Sequence, residues 1–183
     1  PQYIEANFKG TVRELLSSAA DVDSENYRGE IIRPLELERL LDKDIKELSG
    51  GELQRVAISY CLSQKVDLYL LDEPSAFLDV EQRLSLAKLV GSILGVREKS
   101  SLIIDHDLLF LSKVGDRAMV FLGKPGIEGN VNEITSVKNA FNIFLEQVGV
   151  TFRADPETGR PRANKLDSKL DREQKEKNEY FYV

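Results

Sequence analysis

Two short apolar runs, each ending in acid, constrain the fold more than any other feature. Asp67-Leu68-Tyr69-Leu70-Leu71 closes on Asp72-Glu73-Pro74, and Ser101-Leu102-Ile103-Ile104 closes on Asp105-His106-Asp107. An apolar run of that length predicts a strand buried on both faces, as in a parallel sheet. Between the runs, Leu84, Ala87, Val90, Ile93 and Leu94 recur at helical spacing. Ahead of them, Leu53, Val56, Ala57, Tyr60 and Cys61 do the same. Behind them, Leu108, Leu111 and Val114 predict a helix, and Ala118 to Leu122 a strand. Strands alternating with helices imply an α/β domain with a mostly parallel sheet.

The flanks differ in character. Thr11 and Glu14 have capping-box spacing, and Leu15, Leu16 and Ala19 give that stretch an apolar face. Pro34 interrupts the next pattern and lets a helix start behind it, from Leu35 to Leu41. Residues 1–48 are therefore expected to form a helical subdomain, and 49–133 the α/β core. In 134–183, Val137, Phe141, Phe144, Leu145 and Val148 are spaced for one last amphipathic helix. From Thr151 onward there are eight Lys/Arg against seven Asp/Glu, whereas the preceding residues carry 17 against 24. The tail is thus locally basic on an acidic chain, with Arg153, Arg160, Arg162 and Lys165 concentrating the positive charge.

Composition removes several function classes. Among 183 residues, 42% are hydrophobic, enough for the core of one ordinary domain. The single cysteine, Cys61, rules out an internal disulfide framework and any multi-thiolate cluster within this sequence. The single histidine, His106, rules out two-histidine metal sites. A net charge of −6 argues against holding nucleic acid by bulk charge. No apolar run approaches the roughly 18 residues of a membrane span.

Three constellations carry chemistry. Asp72 and Glu73 fall at the carboxyl end of a buried strand, the edge where open parallel sheets bind ligands. In a nucleoside triphosphatase the first acid of such a pair holds Mg²⁺ and the second orients or deprotonates the attacking water. Asp-Glu-Pro also suits an ordinary turn, and these residues alone leave both readings open. Ser49 and Glu52 frame a helix start, while Gly50 and Gly51 allow close backbone approach to an anion. His106 follows the second strand, where an imidazole can reach the same edge, although a lone histidine is commonly structural.

Taken in order, these residues resemble the ATP-binding cassette (ABC) family. Leu48-Ser49-Gly50-Gly51-Glu52 is similar to its signature motif, Leu68 to Glu73 to its Walker B strand, and Ser75-Ala76-Phe77-Leu78-Asp79 to its D-loop. His106 resembles the switch histidine, and Gln2 the Q-loop glutamine. Gly51 to Ala57, Tyr69 to Gln82, Thr151 to Pro156 and residues 159–165 resemble one branch, the RNase L inhibitor or class E ABC ribosome-recycling ATPases. Asp105 stands where that family more often has glutamate.

The resemblance implies a P-loop NTPase fold and an ATP hydrolase. It implies catalytic roles for Glu73 and His106. Nucleotide contacts would fall at Gln2, Ser49, Gly50, Gly51, Glu52 and Asp79, and Mg²⁺ at Asp72 and Gln2, mostly through water. Arg153, Arg160, Arg162 and Lys165 would contact the ribosome from a hinge. The implied partners are a first cassette of the same parent chain, the ribosomal small subunit and its RNA, and termination or rescue factors, in the cytoplasm and also the nucleus, with no membrane. Iron–sulfur clusters would belong only to the parent protein. No Gly-Lys-Ser/Thr phosphate loop occurs, the chain opens at Pro1, and its only methionine is Met119. These features imply a chain entered inside a cassette, inactive by itself. The alternatives are another soluble ABC ATPase, or a binding module without catalysis.

Overall fold

The computed structural model describes residues 8–124, 126–157 and 160–182. They fall into two compact units, Pro1–Val114 and Gly115–Val183. Composition and periodicity place the start of the last segment at residue 134. The second unit begins earlier because β3 (Arg117–Ala118) pairs antiparallel with β6 (Thr135–Ser136) and so stays with the C-terminal residues.

In the first unit, α1 (Val12–Ser17) starts on the expected capping box. Thr11 N donates to Glu14 Oε2 at 2.8 Å, and Glu14 N to Thr11 Oγ1 at 3.2 Å. The helix expected from Leu35 to Leu41 does not form. A short helix α2 (Glu25–Tyr27) runs into a π-type turn over Arg28–Ile32, and only Glu38–Leu40 closes a 3₁₀ turn. Glu36 sits at φ 53°, in the left-handed region, which ends regular helical hydrogen bonding there. Leu35, Leu37, Leu40 and Leu41 are nevertheless all buried. Apolar content fixed their burial, and one backbone torsion decided their conformation.

Helix α3 (Gly50–Ser63) buries Val56, Ile58 and Leu62. Its buried side also carries Ser59 and Ser63, whose hydroxyls donate back to the carbonyls of Val56 (2.7 Å) and Ser59 (2.6 Å). Strand β1 (Leu68–Asp72) pairs parallel with β2 (Ser100–Ile104), with Leu68 opposite Ser100 and Asp72 opposite Ile104. Between them α4 (Val80–Arg97) buries Leu86, Ala87, Val90 and Ile93, and α5 (Leu108–Val114) follows β2 and buries Phe110. Burial of the strands on both faces is not what the structure shows. Tyr69 and Leu71 face the core, but Leu68, Leu70, Leu102 and Ile104 are all exposed. Among the described residues the core lies on one side of this pair, so the apolar run reflects the strands' second face without a cover.

In the second unit, the strand expected over 118–122 is split. Residues 117–118 belong to β3, and β4 (Phe121–Lys124) forms a hairpin with β5 (Glu128–Val131). Of these strand pairs, β1–β2 is parallel, and β3–β6 and β4–β5 are antiparallel. Helix α6 (Val137–Val148) forms as expected and ends on Gly149 at φ 69°. It buries Ala140, Phe141 and Leu145, leaving Phe144 and Val148 exposed. Phe141 packs edge-on against Phe181 with centroids 4.8 Å apart.

The polar tail folds around a buried polar cluster. Strand β7 (Phe152–Ala154) lies between β8 (Pro161–Ala163) and β9 (Phe181–Tyr182), with α7 (Lys169–Glu176) preceding β9. Thr151, Asn164, Asp171 and Gln174 are all buried. Thr151 Oγ1 donates to Asp171 Oδ1 at 2.6 Å, and Lys175 Nζ to Asp171 Oδ2 at 2.9 Å. Asn164 Nδ2 donates to Thr151 Oγ1 at 2.8 Å and also bonds Gln174. The Thr151 hydroxyl, then Lys175 and the Asp167 amide, hold the Asp171 carboxyl below its ordinary value. Replacing Asp171 with alanine leaves Thr151 and Lys175 without their acceptor. Thermal unfolding of the D171A chain is expected to show a loss of about 3 kcal/mol at pH 7. Because the folded-state value is depressed, wild-type stability from this group is present above about pH 4 and declines as pH falls through the folded value, so the difference between the two chains narrows in acid.

Candidate functional site

The parallel register brings the ends of β1 and β2 to one edge. Glu73 N donates to Ile104 O at 2.7 Å, extending the ladder one residue past Asp72. Glu73 then takes φ 46° and Phe77 takes φ 60°. Two non-glycine residues in the left-handed region cost about 1–3 kcal/mol each and persist only where contacts over-determine them. Such contacts are present here. Gln54 of α3, itself buried, donates Nε2 to the carbonyls of Glu73 and Pro74 at 3.2 Å each. Ala76 N also donates to Glu73 O, at 3.1 Å. Ser75 donates its amide and hydroxyl to Asp105 at 3.0 and 2.9 Å.

This scaffold brings Glu73 and His106 together. His106 Nδ1 lies 3.9 Å from Glu73 Oε1, with the imidazole 77% exposed. Asp72 is exposed on the last residue of β1. Asp79 caps α4, accepting from Gln82 N at 2.9 Å. Gln2 lies outside the described residues.

The start of α3 adjoins the same loop. Ser49 is its N-cap, accepting from Glu52 N at 3.4 Å, while Glu52 Oε2 accepts from Ser49 N at 2.8 Å. Lys43 Nζ donates to Glu52 Oε1 at 3.0 Å. Both Glu52 oxygens are therefore engaged, and its carboxyl is lowered to about 2, first by the Ser49 amide and then by Lys43. The Ser49 hydroxyl accepts from Glu52 and keeps its own O–H to donate. The amides of Gly50 and Gly51 occupy the first turn, where helix donors have no intrahelical acceptor. A Cβ on Gly51 would sit 2.9 Å from the Phe77 carbonyl oxygen, so only glycine permits this approach of α3 to the loop.

The four basic tail residues lie in the second unit. Arg153 and Arg162 stand opposite each other on β7 and β8. Arg153 donates to Asn164 Oδ1 at 2.6 Å, and Arg162 pairs with Asp155 at 3.3 Å. Arg160, Arg162 and Lys165 are exposed. A separate cleft of about 720 Å³ lies in the first unit, lined in part by Tyr27, Ser63, Lys65, Lys99 and Arg97. Arg97 and Lys99 there already pair with Glu30 (3.1 Å) and Asp67 (2.6 Å). Burial pushes the Cys61 thiol up, away from nucleophilic reactivity. Sequence reasoning singled out neither Gln54, Arg83 and Asp107 nor the clamp between Ser75 and Asp105. Ser75, Asp105 and Asp107 adjoin the acidic strand ends in sequence, whereas Gln54 and Arg83 reach the loop only through the fold.

Residues 2–76 match the family described as ABC transporter. The whole chain is 53% identical to an uncharacterized ABC transporter ATP-binding protein of Methanocaldococcus jannaschii, covering 100% of this chain and 30% of that protein. It is 42% identical to translation initiation factor RLI1 of Chaetomium thermophilum, again over 100% of this chain and 30% of that protein. A chain in the solved structure of ribosome-bound archaeal Pelota and ABCE1 superposes with a TM-score of 0.94 at 48% identity, covering 100% of this chain and 31% of that one. The chain belongs to the class E ABC ATPases. It has their α/β P-loop NTPase fold and spans about 30% of the length of the curated relatives it matches.

An ABC ATPase domain implies binding of ATP and Mg²⁺ in general. The described residues contain no group of three or more acids, histidines or cysteines able to cage a metal. Asp72 offers one open carboxylate at a strand end, which fits Mg²⁺, an ion that keeps several waters and takes one or two carboxylates beside phosphate oxygens. No helix among the described residues is long and apolar enough to cross a membrane.

Two substitutions test the α3 start. Gly51→Ala forces the Phe77 carbonyl away, and denaturant titration is expected to show a loss of about 1–3 kcal/mol. Glu52→Gln is expected to cost about 1 kcal/mol at pH 7. The Glu52 contribution is present above about pH 4.5 and is lost as pH falls toward 2, so the mutant's acid unfolding curve should be flatter over that window.

Proposed function

We propose that the chain is the second nucleotide-binding domain, with its C-terminal hinge, of a twin-cassette ATPase that splits ribosomes into subunits. The observation that carries the hydrolytic part is the convergence of Asp72, Glu73 and His106 at the carboxyl edge of β1 and β2, with 3.9 Å between Glu73 and His106. The ribosomal part is supported by likeness over the whole chain to ribosome-bound ABCE1 and to RLI1.

In this reading Glu73 orients the attacking water and accepts its proton, a general-base role. His106 donates a hydrogen bond to the terminal phosphate or the water. Asp72, with Gln2, would hold Mg²⁺ mainly through water, and the ion would neutralise phosphate charge. Ser49 donates its hydroxyl, and Gly50 and Gly51 their amides, to the phosphate of a nucleotide held by the opposing cassette. Glu52 acts there by fixing Ser49, and Asp79 lies where the two cassettes meet. The phosphate loop that this sequence lacks would come from elsewhere in the parent protein, so the 183-residue chain alone should not hydrolyse ATP. Closure of the two cassettes around ATP would supply the mechanical stroke, and hydrolysis would reopen them. Arg153, Arg160, Arg162 and Lys165 would meet ribosomal RNA phosphate on the small subunit, with termination or rescue factors as further partners. The site of action would be the cytoplasm. Iron–sulfur clusters would lie outside this chain.

Glu73→Gln in the full-length protein is expected to lower ATP turnover by about 10²–10⁴-fold and to retain bound ATP. Phosphate release and nucleotide retention measure both, while sucrose gradients read subunit splitting. Turnover at the wild-type rate would remove Glu73 from the reaction. Hydrolysis without ribosome-dependent splitting would leave a class E ATPase working on another substrate.

A further inference from the structure

Loops 73–79 and 105–107 are closed into one ring of hydrogen bonds. Asp105 Oδ2 accepts from Ser75 N at 3.0 Å, and Oδ1 accepts from Ser75 Oγ at 2.9 Å and from Asp107 N at 2.9 Å. Asp107 Oδ2 accepts from Arg83 Nη1 at 2.5 Å, and Arg83 Nε donates to Leu78 O at 2.9 Å. Leu78 N returns to Ser75 O at 3.3 Å. Ser75 is only 1% exposed, so water cannot replace Asp105 as its acceptor.

The ring passes on both sides of the two groups read as reactive. Glu73 lies two residues before Ser75, with its amide and carbonyl held by Ile104 and Gln54. His106 lies between the two ring members Asp105 and Asp107 and makes no close hydrogen bond of its own among the described residues. Its position is therefore set by its neighbours. The geometry points to Asp105 as a positioning residue that locks the loop of Glu73 to the loop of His106 and so fixes their spacing. The inference deepens the ATPase reading and rests on it.

The ring is not needed to cap the helices beside it. Asp107 Oδ1 caps α5 through Phe110 N at 2.8 Å, and Asp79 and Gln82 cap α4. The strand register is held by the ladder and by Glu73 N. Cutting the bonds between Ser75 and Asp105 leaves these intact, so the effect falls on relative loop placement. In D105N an amide NH₂ takes the place of one of the two acceptor oxygens that hold Ser75.

Two measurements test this. In the full-length protein, kcat and KM for ATP are compared in D105N, S75A and the double variant, with E73Q as reference. D105N is expected to lower kcat roughly tenfold or more with KM within about twofold, and the double variant to be no worse than D105N. In the full-length protein labelled at histidine, with the His106 signals assigned by comparison with H106Q, the ring protons are followed by NMR for a cross-peak to the Glu73 side chain. That cross-peak is expected in wild type and lost in D105N and S75A. Wild-type kcat in D105N while E73Q abolishes turnover overturns the clamp and leaves the ATPase reading standing. Wild-type turnover in E73Q removes the ATPase reading instead, and the cross-peak then decides the clamp: its survival in D105N overturns it. Should D105N not fold, S75A carries both comparisons.

Discussion

Everything at the candidate site depends on the parallel pairing of β1 with β2. Its register, Asp72 opposite Ile104, brings two chain segments separated by an 18-residue helix to end at the same edge. A slip of one residue would turn Tyr69 and Leu71 out of the core and carry the acids to the other face. Core packing therefore fixes the chemistry. The side chains that hold the register are apolar and buried, and the groups they deliver are polar and open to solvent. The hydrogen bond from Glu73 N to Ile104 O transmits that register one residue further, into a backbone conformation a free chain would avoid.

A single local device is used three times among the described residues of the first unit. Thr11 with Glu14, Ser49 with Glu52 and Asp79 with Gln82 each form a reciprocal cap. In α1 the cap only starts a helix that buries Val12 and Leu16. In α3 and α4 the cap residue also stands at the candidate site, so in the proposed reading the same atoms serve two purposes. Ser49 accommodates both, because a hydroxyl that accepts from Glu52 N still has a proton to give. Glu52 does not, since an ionised carboxylate only accepts and has no proton to give a phosphate. That difference separates a residue able to touch a phosphate from one able only to position its neighbour.

The elements with apolar periodicity were legible: α3, α4, α5, α6 and both strands of the parallel pair form where spacing places them. What sequence could not show was decided by single torsions and by polar burial. Glu36 in the left-handed region turned an expected helix over 35–41 into a 3₁₀ turn, and no periodicity reports such a torsion. Ser59, Ser63 and Gln54 lie on the buried side of α3 because their polar atoms find acceptors there. A reading that equates polar with exposed misses them. The apolar run of β1 promised burial on two faces, yet Leu68 and Leu70 are open, because hydrophobicity states what a face requires and not what covers it. At the site, the residue types at 72, 73 and 106 were legible, while the clamp from Asp105 to Ser75 joins positions 30 apart.

The tail carries the same lesson to its limit. Helix α7 is polar nearly throughout, and its sequence offers no apolar stripe to bury. The second unit nevertheless closes on it, because Asp171 and Gln174 supply acceptors and donors that match Thr151, Asn164 and the carbonyls of Phe152 and Glu179. Such a cluster holds one geometry, since each member must find its partner or carry a desolvated polar atom. A hydrophobic plug of equal size would tolerate rotation and sliding. The arginines on β7 and β8 are therefore displayed on a support that resists rearrangement. Positive charge alone would be supplied as well by a loose tail. Order in that charge requires the buried carboxylate beneath it.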